Sequence, residues 1–333
     1  VAGIHSFRKL APAFGPCDKL LSEILVSTYM NILMSGGSGL VGRALAPLLL
    51  ARGHKVNNLT TRKEWNGTMR DGVFHIYWNP GKRTLDQSVI ADSDVVINLA
   101  GYSVANRWTQ RNKDRMVASR LDSTDILVRL ILSSAAPPSQ FITASAAGYY
   151  KSSVDLQDET AGPGDGFLAD LTRHWEDASA PLEKTATRRI IMRFGVVLDA
   201  RDGALPRMLP LFRAGLGAAV GSGTQWMSWI HVKDLVRAID HLIHTSETRG
   251  VYNLVSPEPI QNIGFSRTLA SVLRRKLFLP PVPAFMLRFL YGEMATMVLA
   301  SQRLHAAKLE ASGFHFHFQD LRSALTDLLP HRV

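Results

Sequence analysis

The chain has 333 residues, with 38 Lys and Arg against 28 Asp and Glu, a formal net charge of +10 and one cysteine, Cys17. That length can bury a large core, as one doubly wound unit or as two lobes, and a single cysteine excludes a disulfide framework and a cysteine-built metal site. The positive charge favours anionic ligands, but no basic run is interleaved with aromatics and no helix-turn-helix or RNA-recognition signature occurs, so it reads as solvated helix faces and no nucleic-acid partner is expected.

Residues 1–29 carry Arg8, Lys9 and Lys19 but also Asp18 and Glu23, and a transit segment should be nearly free of acids. A helix over Cys17–Thr28 is a further reading, and an extension ahead of a natural start at Met30 is preferred. The expected location is cytoplasmic, or organellar if this segment is a transit peptide. No stretch approaches the roughly 20 uninterrupted apolar residues of a membrane span, so no membrane partner is expected.

Ile32, Leu33 and Met34 form a strand-like apolar run that leads into Gly36, Gly39 and Gly42, spaced G-x-x-G-x-x-G, and then into a segment of helical periodicity. Such a strand-to-helix turn needs one glycine for its φ, one where a pyrophosphate approaches the backbone and one for close helix packing. The N–H groups at Leu40 and Val41 then face the phosphates with the positive end of the helix dipole. The helix runs to Arg52 with Leu45, Leu48 and Leu49 inward and Gly53 as its stop. His54–Thr61 is the second strand, ending in Thr60-Thr61-Arg62-Lys63. An acid at that place binds the ribose 2′-hydroxyl of NAD, whereas Arg accommodates the 2′-phosphate of NADP. Thr61, Arg62 and Lys63 therefore point to NADP(H).

Val73–Trp78 is a third strand, and Asp94–Leu99 is an apolar one without alternation whose end, Leu99-Ala100-Gly101, lets a cofactor lie against the backbone. A long helix spans Trp108–Leu132 and carries Arg115 and Arg120, candidates for phosphate contacts. Gln140–Ala144 is a strand followed by Ser145, and Tyr149 and Tyr150 come four and five residues later. A helix over Phe167–Lys184, a strand over Arg189–Leu198, a helix over Val232–His244 and a short strand at Tyr252–Val255 follow, and then a mostly helical tail over Phe265–Leu329. Alternating strands and helices imply an α/β fold: a Rossmann-type doubly wound parallel sheet over 30–200 with a smaller, mostly helical C-terminal substrate lobe over 201–333, from which a late strand near 252–255 returns to the sheet.

The segments 35–42, 98–101, 145–150, Arg193–Leu198 and Trp229–Asp234 resemble the extended short-chain dehydrogenase/reductases. Arg107–Thr109, Ser119–Leu121, Met208–Gly223 and Gly313–Phe316 resemble an atypical branch, the epimerase family proteins often labelled cell-division-inhibitor-like. The resemblance implies an NADP-dependent oxidoreductase or nucleotide-sugar epimerase acting on a small molecule of unknown identity, as a monomer or homodimer. It also implies Ser plus Tyr-x-x-x-Lys for catalysis, and there the chain departs. Counting back from Glu176, the Tyr and Lys slots hold Leu168 and Thr172, neither of which can carry that proton or that charge. Ser145, Tyr149 and Tyr150 are the remaining candidates for acid–base work. The alternative is a catalytically silent NADP(H)-binding sensor or interaction protein.

Three further groups have structural readings. His231 and Asp234 would pair, with Asp234 capping the helix that follows. His315 and His317 alternate with Phe314, Phe316 and Phe318 as in a half-buried strand, and with no third ligand nearby no metal site is expected. The Met- and Phe-rich stretch Phe285–Leu299 reads as core or as a subunit contact.

Overall fold

The computed structural model describes residues 29–330; the expectations for the segment before Tyr29 lie outside the described residues. The first strands and helices are β1 (Asn31–Ser35), α1 (Leu40–Ala51), β2 (Lys55–Thr60), β3 (Met69–Arg70), β4 (Val73–Tyr77), α2 (Gln87–Ala91), β5 (Val95–Asn98), α3 (Gln110–Leu132), β6 (Gln140–Ala146), α4 (Phe167–Asp177) and β7 (Arg188–Phe194). With β11 (Gly250–Leu254) these strands build one eight-stranded sheet in the order β11-β7-β6-β5-β1-β2-β4-β3, parallel except for the β3–β4 hairpin. The strand order reverses between β1 and β5, which opens a crevice at their carboxyl ends.

The alternation of β1 explains the two layers. Ile32 and Met34 point to one face, where they pack with Leu45 and Leu49 of α1 and, from a later helix, Leu235 and Ile239. Leu33 points to the other and joins Ile126 and Leu127 of α3 and Ile90 of α2. Both faces are covered, so Ile32–Met34 of β1 and Val95–Ile97 of β5 are continuous apolar runs instead of alternating ones.

The C-terminal part contains β8 (Val196–Leu198), α5 (Leu205–Arg213), β9 (Trp226–Met227), β10 (Trp229–His231), α6 (Val232–His244), β12 (Ile260–Gln261), α7 (Asn262–Val272), α8 (Ala284–Tyr291), α9 (Ala295–Leu299), α10 (Ala307–Ala311) and α11 (Leu321–Leu328). A second core forms here from Leu205, Leu209 and Phe212 of α5, Phe265 and Leu269 of α7, and Leu321 and Leu325 of α11.

Several expected elements change. Arg189–Leu198 is two strands, because the chain breaks at Gly195, where a Cβ would lie 2.6 Å from the Ser228 carbonyl oxygen; β8 then pairs with β10 in a separate sheet. Phe167–Lys184 is α4 followed by a 3₁₀ turn over Ala180–Lys184, since Pro181 removes a backbone donor. Residues 314–318 keep their buried–exposed alternation but have no ladder partner. Asp234 holds this segment instead, accepting the N–H groups of His317 and Phe318 at 3.0 and 2.8 Å. The cap of α6 is therefore His231, whose Nδ1 accepts the Lys233 N–H, while its fully buried ring stacks on Phe318 and burial lowers its pKa. Nor is α8 core. Leu287 is buried, but Phe285 and Phe289 stand 71% and 87% exposed, so this helix contributes little to either core.

Candidate functional site

The crevice begins at the glycine turn. Gly36 has φ +74°, and a Cβ there would lie 2.5 Å from the carbonyl oxygen of Leu99. Gly42 is the packing glycine, with Gly37 Cα 2.5 Å from where its Cβ would stand. Gly39 differs: the one atom its Cβ would meet is the Gly36 carbonyl oxygen at 3.2 Å, and the rest of that side is open. Helix α1 starts there with no side-chain cap and no acid in its first turn. The N–H groups of Leu40, Val41 and Gly42 are thus left to an anion arriving from outside.

A polar clamp fixes the turn from below. Asn58 of β2 is buried and accepts the Gly37 N–H through Oδ1 at 3.0 Å, while its Nδ2 donates to His75 Nδ1 at 3.1 Å. That bond puts the His75 proton on Nε2, and burial lowers the His75 pKa and favours the neutral ring. Across β1 and β5, Ser35 Oγ donates to Asn98 Oδ1 at 2.6 Å, and Asn98 Nδ2 donates to Thr124 of α3 at 2.9 Å. These bonds hold the Leu99-Ala100-Gly101 carboxyl end in register with the turn.

Thr61, Arg62 and Lys63 are exposed at the end of β2. Arg62 and Lys63 form no ion pair with a carboxylate among the described residues; Arg62 lies over the Trp65 ring at 4.3 Å and Lys63 near the Tyr77 ring at 5.8 Å. Of the two candidates on α3, Arg115 is exposed and sits 5.8 Å from the Tyr102 ring. Arg120 turns inward, where it donates to the carbonyls of Tyr102 and Met116, each at 3.0 Å, and lies beneath Gly101. Burial lowers its pKa to about 10, so the guanidinium stays charged at neutral pH, and its visible work is to brace the 99–102 loop.

Ser145, Tyr149 and Tyr150 are brought together at the carboxyl end of β6, around one buried ion pair. Ser145 lies inside the strand, 2% exposed, and its Oγ donates to Glu176 at 2.5 Å. Glu176 receives Arg193 on both oxygens, at 2.8 and 2.7 Å. Burial alone would lower the Arg193 pKa, but Glu176 and Tyr150 outweigh it and hold it above its ordinary value. The guanidinium then stacks on Tyr149 at 3.5 Å. Tyr150 is buried, donates to Asn253 Oδ1 at 2.6 Å, and is pushed up to about 12 by burial. Leu168 stands against Gly148, and Thr172 bonds back to the Leu168 carbonyl. Two of the three hydroxyls are thus satisfied inside the protein, and Tyr149 alone keeps a half-buried phenol without a hydrogen-bond partner among the described residues.

The sequence reading passed over Asn58 and the β3–β4 hairpin. A polar residue amid a buried strand signals the first. Asp71-Gly72, both at positive φ, is a two-residue hairpin turn and signals the second. No group of three or more His, Cys, Asp or Glu able to hold a metal occurs among the described residues.

A doubly wound sheet, an uncapped helix start behind a glycine turn and free cations after β2 define a dinucleotide-binding α/β protein, and the residues present fit an NADP-type cofactor. The model of the NAD dependent epimerase/dehydratase family matches residues 32–254, and a domain of unknown function, DUF1731, matches 282–328. Epimerase family protein SDR39U1 of Mus musculus is 35% identical over 306 residues, covering 90% of this chain and all of the relative. Epimerase family protein YfhF of Bacillus subtilis is 34% identical over 305 residues, covering 91% and 99%. The crystal structure of human SDR39U1 (isoform 2) with NADPH superimposes with a TM-score of 0.79 at 31% identity, covering 90% of this chain and 99% of that one. The chain belongs to the NAD-dependent epimerase/dehydratase family, as an atypical extended short-chain dehydrogenase/reductase, and the human relative was crystallised with NADPH.

Proposed function

We propose that the protein is an NADPH-dependent reductase of a small carbonyl compound, and that it is not a nucleotide-sugar epimerase. The observation that carries the reading is the pair Arg62 and Lys63, exposed and without an ion-pair partner among the described residues, at the end of the strand next to β1, whose turn leads into the uncapped start of α1. A ribose 2′-phosphate at this place would meet two cations that no carboxylate already holds among the described residues, and a planar Arg fork suits a phosphate dianion.

The choice of reduction follows from the proton chemistry. Oxidising an alcohol, the first half of an epimerisation, needs a base that is free at neutral pH. Tyr150 is pushed up to about 12, Ser145 is committed to Glu176, and the slots for Tyr and Lys hold Leu168 and Thr172. Reduction needs an acid, and a neutral phenol is one. When bound, the cofactor supplies the hydride that adds to the carbonyl carbon. In this reading Tyr149 gives the proton to the carbonyl oxygen and recovers one from solvent. A second reading, a cofactor-holding sensor without chemistry, is favoured by the internal satisfaction of Ser145 and Tyr150.

Incubation of the protein with a metabolite extract and NADPH deuterated at the transferred position separates the two. Deuterium in a product, lost in Tyr149→Phe, supports the reductase. Stoichiometric binding with no transfer supports the sensor.

A further inference from the structure

Three aromatic or cationic side chains converge just beyond β2. The Arg62 guanidinium lies 4.3 Å from the Trp65 ring centroid, and that of Arg70, from β3, lies 4.5 Å from the same ring. Arg70 reaches this place because the Asp71-Gly72 turn folds β3 back antiparallel on β4, with Arg70 opposite Val73. Both arginines are exposed, and among the described residues neither forms an ion pair, although Glu64 and Asp71 are close in sequence. Two cations gathered on one indole repel each other and gain little from the ring at an exposed site. A dianion between or beside them removes that repulsion.

We infer that Arg70 is a second reader of the cofactor's 2′-phosphate and that Trp65 is the positioning residue that holds Arg62 and Arg70 for it, an inference that rests on the NADPH preference proposed above. The indole is itself fixed. Its edge meets His75 with ring centroids 5.0 Å apart and planes at 72°. His75 accepts from Asn58, and Asn58 accepts the Gly37 N–H. One chain of contacts therefore runs from the two guanidinium groups to the glycine turn, so that the adenosine end and the pyrophosphate end of the crevice are set by the same side chains.

Calorimetric titration with 2′,5′-ADP and with 5′-ADP tests this on wild type, Arg62→Ala, Arg70→Ala, Trp65→Leu and Trp65→Phe, at low and at moderate salt. These side chains are exposed or half-buried, so the variants fold. Arg70→Ala is expected to weaken 2′,5′-ADP about tenfold, with 5′-ADP unchanged and a shallower salt dependence. Trp65→Leu is expected to lower the 2′,5′-ADP preference by a similar factor, and Trp65→Phe to restore most of it, which a merely structural role would not give. If Arg62→Ala alone removes the preference while Arg70→Ala and Trp65→Leu keep it, the clamp is overturned and the NADPH reading stands. Equal wild-type affinities for the two nucleotides overturn both.

Discussion

The two halves of the crevice are built on opposite terms. At the cofactor half the protein leaves its polar groups open: the first N–H groups of α1 have no side-chain cap, and Arg62, Lys63 and Arg70 form no ion pair among the described residues. At the other half it closes them. Ser145, Glu176, Arg193, Tyr150 and Asn253 bond within the interior, and of the Arg193 guanidinium only Nη1 lacks a hydrogen-bond partner among the described residues. Buried polar groups must find partners, since each orphan costs on the order of 1–3 kcal/mol, whereas exposed ones can wait for a ligand. The contrast separates groups held for a cofactor from groups held for the fold, although both lie at the carboxyl ends of the same sheet.

The largest expected effect comes from breaking the closed half. Glu176→Ala leaves Arg193 buried without its counter-ion and Ser145 without its acceptor, and should lower stability by about 3–5 kcal/mol. Urea unfolding measures this loss, and cofactor affinity measured on the folded fraction should change little.

Next in size is Gly39→Val. Its backbone is extended and the side is open, so the fold should survive, but the added methyls occupy the phosphate approach. NADPH affinity should fall more than 100-fold by calorimetry while the thermal midpoint shifts only slightly. Gly36→Val should instead damage the fold, because its φ is positive and its Cβ meets the Leu99 backbone.

A smaller effect sharpens the comparison at Tyr150. Its folded pKa, about 12, lies above the ordinary 10.0 of the unfolded chain. The stabilisation is therefore complete below pH 10 and is lost as the pH rises through 12, a change of roughly 2–3 kcal/mol. Stability of wild type minus that of Tyr150→Phe, followed from pH 9 to 12, should trace this loss. The subtraction removes Tyr252, whose hydroxyl burial also pushes up.

The parts of this site that read well from sequence are those where the backbone carries the chemistry. Gly36 and Gly42 announce a turn because a side chain would break its φ or its close contacts, Gly39 because a side chain would fill the phosphate approach, and a run such as Asp94–Leu99 announces a strand covered on both faces. Side-chain commitments are harder to read. Nothing in the segment Ser145–Tyr150 says that Glu176, 31 residues on, accepts the serine's hydrogen bond, or that Asn253, 103 residues from Tyr150, accepts the tyrosine's. Arg120 was legible as a cation on α3 but not as one turned beneath Gly101, because helical spacing fixes a face and not a rotamer. Of the two expectations for Phe285–Leu299, core and subunit contact, the core one fails for α8, because an apolar pattern alone does not say whether the chain's own helices cover it.

The account turns on one distinction, open groups for the cofactor and closed groups for the fold, and NADPH and NADH calorimetry on two double variants tests it most directly. Arg62→Ala/Lys63→Ala should lose its preference for NADPH over NADH, by tenfold or more, with an unchanged thermal midpoint. Ser145→Ala/Tyr150→Phe should bind NADPH as wild type does but with a lowered midpoint. Wild-type NADPH binding that depends on Ser145 and Tyr150 and is indifferent to Arg62 and Lys63 would contradict it.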